Sequence, residues 1–180
     1  MKLLLQIRNL KIEFPHGRQI VRALEGVELD IYEGEVLVLA GESGSGKSLT
    51  ALSITKLLPG NARITSGEII FQGQDLLKLK EKELEAIRGR DISYIFQEAA
   101  ASLNPVLTIG SQIAESIILH QKKTKKEAEA LALELLQSVR LPRPHQIFRS
   151  FPHQLSGGIN QRVMSAIAVA AAQCAATTSP

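Results

Sequence analysis

Apolar and polar residues alternate in two extended pieces near the start of the chain, LLLQIRNLKIEF (3–14) and VRALEGVELDI (21–31), broken by a turn at Pro15 to Gly17 and by Gly26. This spacing predicts an antiparallel sheet. EVLVLA (35–40) is apolar nearly throughout, the pattern of a strand buried on both faces of a parallel sheet. KSLTALSITKLL (47–58) changes to helical spacing and is stopped by Pro59 and Gly60. SGEIIFQG (66–73) predicts a strand returning to the first sheet, KEKELEAIRGR (80–90) a short charged helix, and ISYIF (92–96) a second buried strand. From Gln97 the texture becomes helical. Thr124 and Glu127 stand in capping-box spacing ahead of Ala128, Leu131, Ala132, Leu135 and Val139, which share one helix face. A helical lobe is predicted from about Glu98 to Gln154.

The 180 residues suffice for one domain, with room for lobes. The net charge of +3 carries no dense basic stripe, so nucleic acid is not an expected partner. The single cysteine, Cys174, rules out an internal disulfide, fits a reducing compartment and is expected to be inert. Gln6 and Arg8 interrupt the first apolar run, and no run reaches the roughly 18 apolar residues of a membrane span. The chain is therefore expected neither to cross a membrane nor to be exported. His120, His145 and His153 have no metal-ligand spacing, and KKTKK (122–126) reads as a solvated helix start.

The strongest chemical signal is GESGSGKS (41–48). Gly41, Gly46, Lys47 and Ser48 match G-x-x-x-x-G-K-[ST] between a predicted buried strand and a predicted helix. Glycines let successive backbone N–H groups turn toward a triphosphate, the helix start adds partial positive charge, Lys47 adds a full one, and Ser48 offers an oxygen to Mg²⁺. A second stretch, PHQLSGGINQRV (152–163), reads as a helix opened by Ser156 and so aims further free N–H groups at an anion. One nucleotide does not need two such cradles, which suggests that the second faces a nucleotide held by another copy.

Gly41–Ser48, IFQ ending at Gln97 and LSGG at Leu155–Gly158 occur in the order and spacing of the nucleotide-binding subunit of ABC transporters, which the chain resembles from about Leu3 to Ala170. GESGSGKSLT, IFQEAAASLNP, TIGSQIAE and PHQLSGGINQRVMSAIA look most like the subfamily energising uptake of peptides and nickel, where Ile159 and Gln161 are a subfamily trait. A kinase- or GTPase-type glycine loop would account for Lys47 but not for LSGG.

The resemblance implies an α/β fold: a P-loop core with a parallel sheet, a flanking antiparallel β subdomain and an inserted helical subdomain. The boundaries are 1–97 for the β subdomain and core, 98–154 for the helical subdomain and 155–170 for the signature helix, with an atypical tail at 171–180. It implies ATP and Mg²⁺ as cofactors, held by Gly41, Glu42, Ser43, Gly44, Ser45, Gly46, Lys47, Ser48 and Leu49. Phe14 is the candidate for stacking on adenine, against the alternative of a core phenylalanine. Gln97 is expected to reach Mg²⁺ and the attacking water, and Ser156, Gly157, Gly158 and Gln161 to contact the phosphates of the opposite subunit. Implied partners are a second ATPase subunit, identical or different, transmembrane permease subunits docking near Ala101 to Pro105, and indirectly a substrate-binding protein. The implied location is the cytoplasmic face of the membrane, as a peripheral protein.

The family places an acidic pair after an apolar strand that follows the signature helix, and later a switch histidine. Here Glu134 is the last acidic residue, and AAAQCAATTSP (170–180) stands where that strand belongs. The expectation is a chain cut short after the signature, by truncation or a shifted frame, with the C-terminal part of the core missing. Two readings stay open: an importer ATPase subunit, and a nucleotide-binding remnant without turnover. Glu42 and Glu98 are the nearest carboxylates, and the resemblance gives neither the role of general base.

Overall fold

The computed structural model describes residues 1–17 and 19–176; the side chain of Cys174 and residues 177–180 of the tail lie outside the described part. The chain forms two compact units, Met1–Glu85 and the part from Ala86 onward.

In the first unit β1 (Leu3–His16) and β2 (Gln19–Tyr32) form a long antiparallel hairpin, and β3 (Arg63–Phe71) pairs on the other side of β1. The short β4 (Gln74–Asp75) completes a four-stranded sheet in the order β2-β1-β3-β4. The buried residues of β1 are Leu5 and Ile7, then Leu10 and Ile12. A strict period of two would put the two pairs on opposite faces. The register shifts between Ile7 and Leu10, where Asn9 takes φ 44°, and this bulge returns the second pair to the buried face. Each fully buried Ile or Leu contributes about 1.5–3 kcal/mol, so the bulge protects a large share of the core. Opposite it on β3, Gly67 has φ +112°, and a Cβ there would stand 2.6 Å from Leu10 Cα and 2.8 Å from the Arg8 carbonyl oxygen.

The helix after the glycine loop, α1 (Lys47–Ser53), ends before Pro59, earlier than its apolar spacing suggests. The reason is a left-handed residue, Lys56 (φ 55°). The Leu57 N–H donates to the Leu52 carbonyl at 2.9 Å and the Lys56 N–H to the Ser53 carbonyl at 3.1 Å, the paired bonds that close a helix. The Lys56 ammonium also donates to the Leu77 carbonyl at 2.6 Å. α2 (Glu81–Ile87) follows.

In the second unit α3 (Ala99–Ser102), α4 (Ile109–Gln121), α5 (Lys125–Ser138), α6 (Pro144–Arg149) and α7 (Gly157–Ala176) enclose a core that includes Ile113, Ile117, Ala132, Leu136, Val163 and Ala166. The capping box forms as predicted: Thr124 Oγ1 accepts from the Glu127 N–H, and Glu127 Oε2 accepts from the Thr124 N–H at 2.8 Å. The Thr124 hydroxyl, donating to Glu127 Oε2 at 2.6 Å, and then the Thr124 N–H hold the Glu127 carboxyl below the usual carboxylate range. On α5, Leu136 joins the predicted face and is fully buried. α5 ends as α1 does, with Arg140 left-handed (φ 55°) and the Leu141 N–H donating to the Leu136 carbonyl at 3.2 Å.

Two predicted strands do not form. Residues 35–40 have no regular structure and leave Val36 90% and Val38 78% exposed, and 92–96 contributes only a parallel bridge from Ile92 to Arg88. A parallel strand exists only when neighbours delivered by crossover connections bond its two edges. The sheet formed by the described residues is antiparallel throughout and supplies none, so no parallel sheet forms among the described residues.

Gly67→Val is expected to destabilise the first unit by about 1–3 kcal/mol from backbone strain alone, with further cost from the close approach of β1. Urea unfolding followed by circular dichroism measures it; an unchanged midpoint would show that the bulge does not require a glycine opposite.

Candidate functional site

The glycine loop begins where β2 releases the chain. The Tyr32 N–H donates to Glu35 Oε2 at 2.8 Å, and the chain then runs without regular structure to Gly46. The Ser45 N–H closes a turn on the Glu42 carbonyl at 3.2 Å. Gly46 is left-handed (φ 86°), and a Cβ on it would run into the Leu24 side chain of β2. Glycine therefore lets the loop lie directly on the sheet. Thr50 is buried and anchors the helix start, its N–H and Oγ1 both donating to the Gly46 carbonyl, at 2.8 and 3.0 Å.

The Lys47 ammonium curls back into the loop. It donates to the Gly41 carbonyl at 2.8 Å, the Glu42 carbonyl at 2.6 Å and Ser45 Oγ at 3.1 Å, closing residues 41–47 into a ring. At the helix start the first N–H groups of α1 have no carbonyl one turn earlier to bind. A full positive charge and the first amides of α1 thus stand close together, and a phosphate binding here would take the place of the loop oxygens that now hold the ammonium. Residues 41–45 and Ser48 are exposed, and Lys47 and Leu49 are half-buried. Phe14 is half-buried on β1, opposite Val21 of β2.

The other predicted residues lie in the second unit. Gln97 is exposed just before α3, and it lines a cavity of about 540 Å³ together with Gly158, Gln161, Arg162 and Ser165 of α7. The predicted glutamine and the signature helix are therefore neighbours within one unit. Arg162 reaches from this cavity to the C-terminal end of α5, donating to the Arg140 carbonyl at 3.0 Å. Ser156, Gly157 and Gly158 are exposed, and the Ser156 carbonyl accepts from the N–H groups of Ile159 and Asn160, both at 3.0 Å, which opens the helix where the sequence predicts.

Sequence reading passed over Asn160. It is 2% exposed, on the same helix face as Val163 and Met164, and its Nδ2 donates to the Pro152 carbonyl at 3.1 Å. The readable signal is a polar residue three and four positions before apolar ones.

In the predicted docking stretch Ala101, Ser102, Asn104 and Pro105 are exposed and Leu103 is not. Leu103 is only 3% exposed and belongs to the helical core, because the chain turns inward after α3. Just beyond that stretch Val106 is 75% exposed, on a loop clamped by Gln112. Gln112 Oε1 accepts from the Asn104 N–H at 2.9 Å, and its Nε2 donates to the carbonyls of Asn104 and Leu107 at 3.0 and 3.1 Å. Among the described residues no group of three or more His, Cys, Asp or Glu is arranged to hold a metal ion. His120, in the last turn of α4, has its imidazole pushed toward the neutral form by burial and by Arg90.

The sequence profile of the family described as "ABC transporter" matches residues 24–175. The dipeptide transport ATP-binding protein DppD of Bacillus subtilis (strain 168) is 43% identical over 170 residues, covering 94% of this chain and 51% of the relative. The oligopeptide transport ATP-binding protein AppD of the same strain is 48% identical, with 94% and 52% covered. The chain thus spans about half the length of these relatives. Among solved structures, the ATP-binding cassette MJ0796, a dimer in a post-hydrolysis state bound to ADP and Pi, matches with a TM-score of 0.82 at 32% identity, covering 93% of this chain and 69% of the cassette.

Proposed function

This chain belongs to the ABC transporter family, and from that premise we propose that it is an ATP-binding subunit of a peptide or nickel importer, active as one half of a head-to-tail pair. The observation that carries this reading is the exposed glycine loop that runs through left-handed Gly46 into the start of α1, with the Lys47 ammonium folded over it, where phosphate oxygens would replace the loop's own. The residues fit a nucleotide, because the loop lies on β2 only for want of a Cβ at Gly46, which keeps its backbone open to an anion. They fit Mg²⁺ only as an ion brought with the phosphates, since Ser48 and Gln97 offer neutral oxygens and no carboxylate cage stands beside them. When bound, Mg²⁺ neutralises phosphate charge. In this reading Lys47 holds the β- and γ-phosphates, Gln97 orients water, Phe14 stacks on adenine, and Ser156, Gly157, Gly158 and Gln161 contact the phosphates of the opposite subunit.

The dimeric state of the solved cassette supports pairing, and the names of the relatives favour a peptide as cargo. No described helix is long and apolar enough to cross a membrane, which fits a peripheral protein docked on permease subunits at the cytoplasmic face. Val106 is the anchor of that docking face. Turnover is a separate matter. No Asp or Glu follows Glu134, and an amide such as Gln97 cannot take a proton from water. This favours a second reading for the 180-residue chain by itself, that it binds ATP without hydrolysing it.

Lys47→Ala is expected to weaken binding of a fluorescent ATP analogue by about tenfold or more, the loss of one charge-assisted contact. Equal affinity in both proteins would move the site elsewhere. Val106→Asp is expected to reduce co-purification with the matching permease, and an unchanged yield would count against that face. Phosphate release by the purified chain is expected to stay at the level of Lys47→Ala, since a missing general base typically costs about 10²–10⁴-fold. Lys47-dependent turnover that vanishes in Glu98→Gln would instead identify Glu98 as the base.

A further inference from the structure

Asn160 is expensive where it stands. It occupies the first turn of α7 on the face that carries Val163 and Met164 into the helical core, a position at which an apolar side chain would pack without polar cost. Its Oδ1 is buried without a hydrogen-bond partner. Such a group lowers stability unless something else is gained by its presence.

What it gains is a grip on the segment that leads into the signature. Pro152 opens a short 3₁₀ turn (Pro152–Gln154), and its carbonyl accepts from the Leu155 N–H at 3.2 Å and from Asn160 Nδ2 at 3.1 Å. The backbone N–H of Asn160 donates to the Ser156 carbonyl at 3.0 Å. One residue thus brackets 152–156 from both ends. The same turn is tightened by the Phe151 N–H donating to Gln154 Oε1 at 2.9 Å and by stacking of Phe151 on His153. Ser156, Gly157 and Gly158, which follow directly, are exposed and have no side-chain packing of their own to fix their direction.

We propose that Asn160 is a positioning residue: through the Pro152 carbonyl it sets the direction in which Ser156, Gly157 and Gly158 present their N–H groups to the nucleotide of the partner. This rests on the reading of those residues as the contact to the partner's phosphates. The buried amide is kept for aim rather than for stability.

The test compares wild type, Asn160→Leu and Asn160→Asp by sedimentation in Mg-ATP, by fluorescent ATP titration and by thermal melting. Asn160→Leu is expected to melt at or above the wild-type temperature, to bind the ATP analogue equally well, and to lose about tenfold or more in ATP-driven association. Asn160→Asp is expected to lose association at neutral pH and regain it on acidification, as the protonated carboxyl recovers a donor for Pro152; Asn160→Leu, read in parallel, controls for the histidines. Association of Asn160→Leu at wild-type strength overturns the proposal, as does a loss of association that merely accompanies a lower melting temperature. If the wild type binds ATP but does not associate, the pairing reading fails by itself. The amide resonances of Gly157 and Gly158 then decide: shifted in Asn160→Leu they support Asn160 as the positioning residue, and unmoved they overturn it.

Discussion

One extra residue in β1 governs the first unit. Without the bulge at Asn9, either Leu5 and Ile7 or Leu10 and Ile12 would face water, and the hairpin would lose half of its apolar face. With it, β1 keeps both pairs inside while holding β2 on one side and β3 on the other. β2 in turn presents Leu24 beneath Gly46, so the position of the glycine loop is inherited from the register of the sheet. The chemistry of Lys47 therefore rests on a strand irregularity well before it in the chain.

Local signals were the ones that could be read from the residues alone. The capping box at Thr124 and Glu127, the apolar face of α5, the hairpin and the glycine loop each depend on residues close together in sequence, and each forms where predicted. The two buried strands were misread for the opposite reason. EVLVLA and ISYIF carry the right composition, but a parallel strand is made by its neighbours, and the described sheet gives these segments none. The helix ends were hidden differently. Lys56, Lys122 and Arg140 take left-handed conformations that glycine usually supplies, each at a helix C-terminus. Nothing in composition singles out a lysine for that role.

The candidate site divides along the same line. The glycine loop was legible because Gly41, Gly46, Lys47 and Ser48 stand close together in sequence, whereas the bonds from Lys47 to Gly41, Glu42 and Ser45 were not. The meeting of Gln97 with Gly158 and Gln161 in one cavity was not, since it follows from how α7 packs among the helices of the second unit. Leu103 and Val106 were not distinguishable in sequence for the same reason: three residues apart, one closes the core and the other lies on the loop that Gln112 clamps. Asn160 shows the reverse case, in which a polar residue on an apolar face is visible in the sequence and only its partner, the Pro152 carbonyl, is not.

The uncovered run from Val36 to Leu39 also governs how this polypeptide behaves in company. Residues 35–40, four of them Val or Leu, without proline and with a single charge at Glu35, have the composition of a segment onto which another extended chain can zip. The carboxylates of Glu35 within it and Glu42 just beyond it set like charges against like when two copies align, which opposes such growth.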